Sequence, residues 1–225
     1  MAQAREHPSL SERPQKEHAM SISLYYHPYS RAAGTLWALE EAGVDYDLKV
    51  IDIMKGEQKG PELVSKNPMG KLPTLVDGDV VVTEAAAIAL YLADRYQPGK
   101  LAPALDDPLR ATYLRWAFFA PSVIEPAVMA KQSGWTVKEV AAGWGNFASM
   151  LAAAESAIAG RSFVLGDTFS MADQVFGGTL RFMMDFKQIE PTPVFKDYVD
   201  RLNGRPAYQR AEAKNKAMRE QLGLA

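Results

Sequence analysis

All of the strand-forming sequence in this chain lies in its first half, and that division constrains the fold more than any other feature. Ile22 to Tyr26, Tyr46 to Ile53, Leu72 to Val76 and Val80 to Thr83 are short runs of β-branched, aromatic and aliphatic residues. Asp77-Gly78 supplies the positive φ of a tight turn, so the last two runs read as a hairpin. Arg31 to Ala42 holds good helix formers and stops at Gly43, and Ala85 to Tyr96 is a helix stopped at Pro98-Gly99. After Pro108 no strand follows. Helices are predicted over Leu109 to Lys131, bent or broken by Pro121 and Pro126, then Val137 to Ala159, Met171 to Phe186, Val194 to Asn203 and Pro206 to Leu222. The pattern is β-α-β, hairpin and α, then helices alone, which is an α/β domain followed by an all-helical one. The expected boundaries are a tail over 1–20, the α/β domain over 21–97, a linker over 98–108 and the helical domain over 109–225.

Composition narrows the function. The 225 residues carry 25 Lys plus Arg against 27 Asp plus Glu, a net charge of −2 that does not advertise nucleic acid or an anionic membrane. Cysteine is absent, which removes disulfides, thiolate metal sites, Cys nucleophiles and Cys-x-x-Cys redox chemistry together. No apolar run approaches the roughly 18 residues of a membrane span. Met1 to Met20 lacks the apolar stretch of a secretory signal and reads as a disordered tail, with Met20 a candidate natural start. A cytoplasmic location follows as the default. His7 and His18 fall in the tail and His27 stands alone, so neither a zinc site nor a Ser-His-Asp set is legible and no metal is expected. Gly143-Trp-Gly145-Asn-Phe-Ala148 fits a dinucleotide fingerprint only formally, because it lies in helical sequence with no strand before it. Arg201, Arg205, Arg210, Lys214, Lys216 and Arg219 read as a solvated helix face.

Three segments carry chemistry. In Asn67-Pro-Met-Gly-Lys-Leu-Pro73-Thr-Leu-Val a proline enters a strand. Were Leu72-Pro73 cis, the Leu72 backbone would face outward to pair with an extended peptide, whereas the base rate of about 5–6% favours a trans proline that merely starts the strand. Thr83-Glu84-Ala85-Ala86 hands a strand to a helix, whose free N–H groups can hold a carboxylate while Glu84 holds an ammonium; Glu84 could equally just complement its own helix dipole. Ser30 stands at a helix start, either as an N-cap or as a hydroxyl aimed at a ligand.

In order and spacing these pieces resemble the glutathione transferase superfamily. His27-Pro-Tyr-Ser30-Arg resembles the turn of its serine-type members, Asn67 to Pro73 its cis-proline motif, Thr83-Glu84-Ala85 its Glu-Ser motif, and Gly166 to Asp173 its capping-box segment, where Ser170 and Asp173 close a helix end. The resemblance covers nearly everything from Ser21 onward. It implies a thioredoxin-like N-terminal domain, an all-α C-terminal domain and a cytoplasmic homodimer active in detoxification, with glutathione as co-substrate and a small hydrophobic electrophile as second substrate. Residue by residue it implies that Ser30 hydrogen-bonds the glutathione sulfur, with Tyr25 as runner-up because tyrosine-type members carry a phenol at the end of the first strand, where Tyr26 also stands. Leu72 and Pro73 would meet the cysteinyl backbone, Glu84 and Ala85 the γ-glutamyl end, and Gln58, Lys59 and Lys71 the rest of the tripeptide. Tyr29, Tyr113 and Trp116, with Phe118 and Phe119 close by, would line the electrophile pocket. Two departures stand out: Ala85 replaces the usual serine and removes one hydroxyl contact, and Gln174 replaces the usual apolar residue after the capping-box aspartate.

The implied chemistry is modest in energy. A thiol of pKa about 8.5 is only a few per cent ionised at neutral pH, and lowering it by about two units takes roughly 2.7 kcal/mol. A hydrogen bond to a charged acceptor supplies roughly 1.5–3 kcal/mol and a helix start roughly 0.3–2. Other glutathione-dependent reactions (peroxide or disulfide reduction, dehalogenation, isomerisation) or a non-catalytic binding module remain the alternatives on the same scaffold.

Overall fold

The computed structural model describes residues 22–224; the tail expected over 1–20 and the candidate start at Met20 lie outside them. The α/β domain comprises β1 (Ile22–Tyr26), α1 (Ala32–Ala42), β2 (Tyr46–Val50), a 3₁₀ turn (Glu57–Lys59), the short α2 (Pro61–Val64), β3 (Thr74–Asp77), β4 (Val80–Thr83) and α3 (Ala85–Tyr96). The sheet runs in the order β2-β1-β3-β4, with β1 parallel to β2 and antiparallel to β3. The β1–β3 register ends at Tyr25 opposite Thr74, so Leu72 and Pro73 lie beyond the ladder. Gly43 closes α1 at φ 66, as its lack of a Cβ permits.

The helical domain comprises α4 (Leu109–Phe119), a π-helical turn (Ala120–Ile124), α5 (Glu125–Gln132), α6 (Phe147–Ile158), α7 (Met171–Asp185), α8 (Pro193–Asn203) and α9 (Pro206–Gln221). The sequence left the helix over Leu109 to Lys131 either bent or broken at Pro121 and Pro126, and the structure breaks it. Pro121, lacking an N–H and crowding the carbonyl four residues back, opens a wide turn, and Pro126 sits in the first turn of α5 where its missing donor costs nothing. The helix expected from Val137 starts only at Phe147, because Gly143 and Gly145 interrupt it and Asn146 provides the cap, its side chain accepting from the Ser149 N–H at 2.8 Å. The Gly143–Ala148 segment is therefore the loop before α6 and the first residues of that helix.

Helix α7 is the axis of this domain. Asp173 closes its start by accepting from Ser170 N–H at 2.9 Å, and it also accepts from Val164 N–H at 2.8 Å and the Tyr198 hydroxyl at 2.9 Å, tying three segments to one buried carboxylate. Gly177 lets α8 approach: a Cβ there would lie 2.1 Å from a Leu202 methyl. Helix α9 packs along α1, and here the structure corrects the reading of its cations as a solvated face. Arg205 forks onto Glu41 at 2.6 and 2.7 Å, and Arg210 and Lys214 converge on Glu40 at 2.7 and 2.6 Å. The two domains are joined by ion pairs as well as by core. No helix among the described residues is long and apolar enough to cross a membrane.

Candidate active site

Between the domains lies a cavity of about 660 Å³, and its α/β wall is built by three turns. The first is His27 to Ser30, which carries the chain from β1 to α1. His27 is buried, and burial lowers its pKa below the usual imidazole value, so the ring is neutral and its Nδ1 accepts from the Tyr29 N–H at 3.2 Å. The Ser30 N–H and hydroxyl both donate to the His27 carbonyl, at 3.0 and 2.8 Å, while the Ser30 oxygen accepts from Ala32 N–H at 3.1 Å. A polarised hydroxyl is thus fixed at the positive end of α1, facing the cavity. The second turn is Leu72-Pro73, which is cis, against its base rate and in accord with the resemblance; both residues line the cavity. The third is Glu84, at φ 67 and ψ 121, a backbone conformation rare for a residue with a side chain. Its carbonyl accepts from Ile88 N–H at 2.9 Å, beginning α3, so Glu84 and Ala85 are presented at the cavity beside that helix start.

The helical wall is mostly apolar. Phe118 lies near the end of α4, Pro121 sits in the π turn, and α7 contributes Val175 and Phe182 with Phe186 just past its end, the last two rings tilted by 35° with centres 4.5 Å apart. Arg31, the residue after Ser30, reaches across the cleft: its guanidinium lies 3.9 Å from the Phe182 ring centre and 3.1 Å from Glu125. Helix α9 supplies a polar end with Glu212, Asn215 and Arg219. Asn215 accepts from the Tyr26 hydroxyl at 2.5 Å and donates to the Ala33 carbonyl at 3.4 Å, and the Tyr29 hydroxyl donates to the Leu224 carbonyl.

The structure gathers Tyr29, Ser30, Leu72, Pro73, Glu84 and Ala85 in one cavity and leaves the other sequence candidates outside its lining. Tyr25 is buried and donates its proton to Glu62 at 2.8 Å; burial and that carboxylate push the phenol up to about 12, the opposite of what thiol activation needs. Tyr26 is committed to Asn215. Tyr113 and Trp116 pack in the core, Trp116 edge-on to Phe119 and Phe176, so Phe118, half exposed, is the α4 aromatic that reaches the cavity. The inward face of α4 is taken by packing against α7, which is why its bulkiest rings are not available to a ligand. Lys59 donates to the Met69 carbonyl at 2.8 Å, and neither it nor Gln58 or Lys71 lines the cavity.

Glu125, Gln174, Arg181, Phe182, Phe186 and Arg219 were missed from sequence. On α7 a signal existed: Val175, Phe182 and Phe186 recur at helical spacing beside a column Gln174, Gly178, Arg181 and Asp185 that a core helix would not carry. Gln174, noted as a departure, is buried and bridges the domains through its amide, which donates to the Gly34 carbonyl at 2.8 Å.

Fold and cavity together define a protein in which a thioredoxin-like α/β unit presents backbone turns and helix starts at one cavity and an all-helical unit closes it with an apolar wall. Known proteins agree. Residues 20–94 match the family model of the glutathione S-transferase N-terminal domain and residues 138–201 that of the C-terminal domain. Glutathione S-transferase Z1 of Arabidopsis thaliana is 30% identical over 188 residues, covering 77% of this chain and 83% of that relative, and the zeta-class enzyme of Euphorbia esula is 30% identical over 169 residues, covering 67% and 72%. A glutathione transferase crystal structure from Methylococcus capsulatus superposes with a TM-score of 0.71 at 26% identity, covering 87% of this chain and 99% of that one. One from Phanerochaete chrysosporium, solved with oxidised glutathione, shares the fold at a TM-score of 0.75 and 24% identity, covering 90% and 100%. The chain belongs to the glutathione S-transferase family, a family of transferases, and its activity is glutathione-dependent.

Proposed function

We propose that this chain binds glutathione along the α/β wall of the cavity, ionises its thiol at Ser30 and directs the thiolate at a small hydrophobic electrophile held against the helical wall. The observation that carries this reading is convergence: three turns from separate parts of the sequence, at Ser30, Leu72-Pro73 and Glu84-Ala85, meet in one cavity opposite Phe118, Phe182 and Phe186. Leu72 supplies backbone for the cysteinyl unit, and Glu84 beside the α3 start faces the γ-glutamyl ammonium and carboxylate, where Ala85 offers its N–H without a hydroxyl. Ser30 donates to sulfur by turning its proton away from the His27 carbonyl, and no metal is needed for that step. The apolar wall excludes water from the thiolate and takes the electrophile by burial, a weakly discriminating mode of recognition.

Calorimetric titration with reduced glutathione tests the reading. One saturable site per protomer, weakened by Glu84→Ala, is the expected result, and absence of heat together with absence of thermal stabilisation at millimolar glutathione refutes it. A substrate panel then separates conjugation from the peroxide, disulfide, dehalogenation and isomerisation reactions that use the same thiolate. We further propose a cytoplasmic homodimer. The edge strand β4 exposes Val80 and Val81, an apolar edge that a second copy would cover, and a single-protomer mass in solution would reject it.

A further inference from the structure

Within the cavity just assigned to the electrophile, we infer that Arg181 forms a carboxylate-binding subsite, so that the second substrate is an amphipathic acid, an apolar body carrying a carboxylate, and not a plain hydrocarbon electrophile. This rests on the reading of the helical wall as the second-substrate side. The arginines that serve the fold are each held by a carboxylate through two short bonds: Arg205 to Glu41 at 2.6 and 2.7 Å and Arg110 to Asp94 at 2.7 and 2.6 Å. Arg181 is not. Its Nε is buried with no hydrogen-bond partner among the described residues, and its ion pair to Asp185, one turn on, is stretched to 3.5 Å.

Helix geometry gives the guanidinium its place. Arg181 follows Gly178 and precedes Asp185 in the polar column of α7, next to the column of Val175, Phe182 and Phe186, so one helix face offers an apolar strip and, beside it, a cation with unused donors. The guanidinium lies 4.9 Å from the Tyr208 ring centre. Asp185 is a poor permanent partner: its side chain is 60% exposed and free to swing into water. A planar carboxylate entering from the cavity displaces Asp185 from the guanidinium, which turns its covered, unpartnered Nε–H toward the newcomer. Phe182 and Phe186 then cover the apolar body.

The test uses non-reactive probes, naphthylacetate and its neutral isostere naphthylacetamide, titrated calorimetrically into the full chain with and without saturating glutathione. The carboxylate is expected to bind about ten- to a hundredfold more tightly than the amide, the worth of a charge-assisted bond. Arg181→Met should collapse that ratio to near one and Arg181→Lys should restore part of it, with the amide as an internal control for any loss of fold. Equal affinity of the two probes, binding of neither, or a ratio untouched by Arg181→Met overturns the subsite. So does weaker glutathione binding by Arg181→Met with the probe ratio intact, which would move Arg181 to the thiol side. Titration without glutathione keeps the subsite distinguishable from the proposed thiol site: the thiol site fails if glutathione gives no heat, whatever the probes do.

Discussion

Removal of the Ser30 hydroxyl tests the thiol-activation step most directly, because the structure sets its magnitude. In the unliganded site the Ser30 proton is already engaged at 2.8 Å with the His27 carbonyl. Donating it to a thiolate exchanges a neutral hydrogen bond of about 0.5–1.5 kcal/mol for a charged one of about 1.5–3 kcal/mol, a net of about 1–1.5 kcal/mol, or about one pKa unit. The remainder of the thiol's depression must come from the α1 dipole, which works against the desolvation of the thiolate in an apolar cavity, and Ser30→Ala leaves both in place. Bound glutathione in Ser30→Ala should therefore titrate about one unit higher when followed by its ultraviolet thiolate absorbance. The sign fixes the rate profile: well below the thiol pKa the thiolate fraction, and kcat/KM with it, falls about tenfold, and above the raised pKa the two proteins converge. The same change takes the acceptor from Ala32 N–H, so the melting temperature should drop by a few degrees, from about 1 kcal/mol of lost capping. Superimposable thiolate titrations refute the activation role, and a loss of rate equal at every pH shows that Ser30 positions the thiol without ionising it.

Glu84→Gly should relieve a φ of 67 that only glycine adopts freely, raising stability by about 1 kcal/mol in thermal melts while weakening glutathione binding in calorimetry; a lower melting temperature would show that the conformation is not strained. Burial alone would raise the Glu40 pKa, but bonds from Lys214, Tyr46 and Arg210 outweigh it and hold it at about 2. The folded value lies below the unfolded one, so this contribution is complete above about pH 4.5 and is lost as pH falls toward 2. Glu40→Gln should remove about 1–2 kcal/mol, discounted for the solvent that reaches its partners, and should flatten the acid limb of the stability profile. Asp173→Ala strands Val164 N–H, Ser170 N–H and the Tyr198 hydroxyl in the core and should cost about 3–5 kcal/mol in denaturant unfolding, against about 1 kcal/mol for loss of an exposed cap.

What the sequence disclosed and what it withheld divide along a physical line. Most α/β elements were legible to within a residue or two because each is bounded by a local breaker: Gly43 ends α1, Asp77-Gly78 turns the hairpin, Pro98 and Gly99 follow α3; β2, with no such stop, ends at Val50 and not at the expected Ile53, and the single turn of α2 was not read at all. The three turns that meet in the cavity were legible for the same reason, since Ser30, Leu72-Pro73 and Glu84 are placed there by the backbone turns they occupy. The helical wall was not. Tyr113, Trp116 and Phe118 share one helix and one chemical character, and only the packing of α4 on α7 decides that Phe118 faces the cavity. Glu125 gained its role from Arg31, 94 positions earlier in the chain. The cations of α9 looked solvated because their partners, Glu40 and Glu41, lie at the far end of α1, beyond the reach of any spacing rule.

That division also bears on how such a site can change. The proposed thiol side rests on backbone geometry at three turns, so in that reading substitutions there act on every substrate at once. The proposed electrophile side, apart from Phe118 and Pro121, is set by side chains along one helix, α7, whose backbone is fixed independently by the Asp173 junction and by the close approach of α8 at Gly177. Exchange of Val175, Arg181, Phe182 or Phe186 therefore alters what is bound while leaving the helix axis in place. Arg31 is the exception. It adjoins the thiol turn and stacks on Phe182, and its ion pair with Glu125 links the two walls, so it is the position where a change in electrophile recognition and a change in thiol chemistry are mechanically coupled.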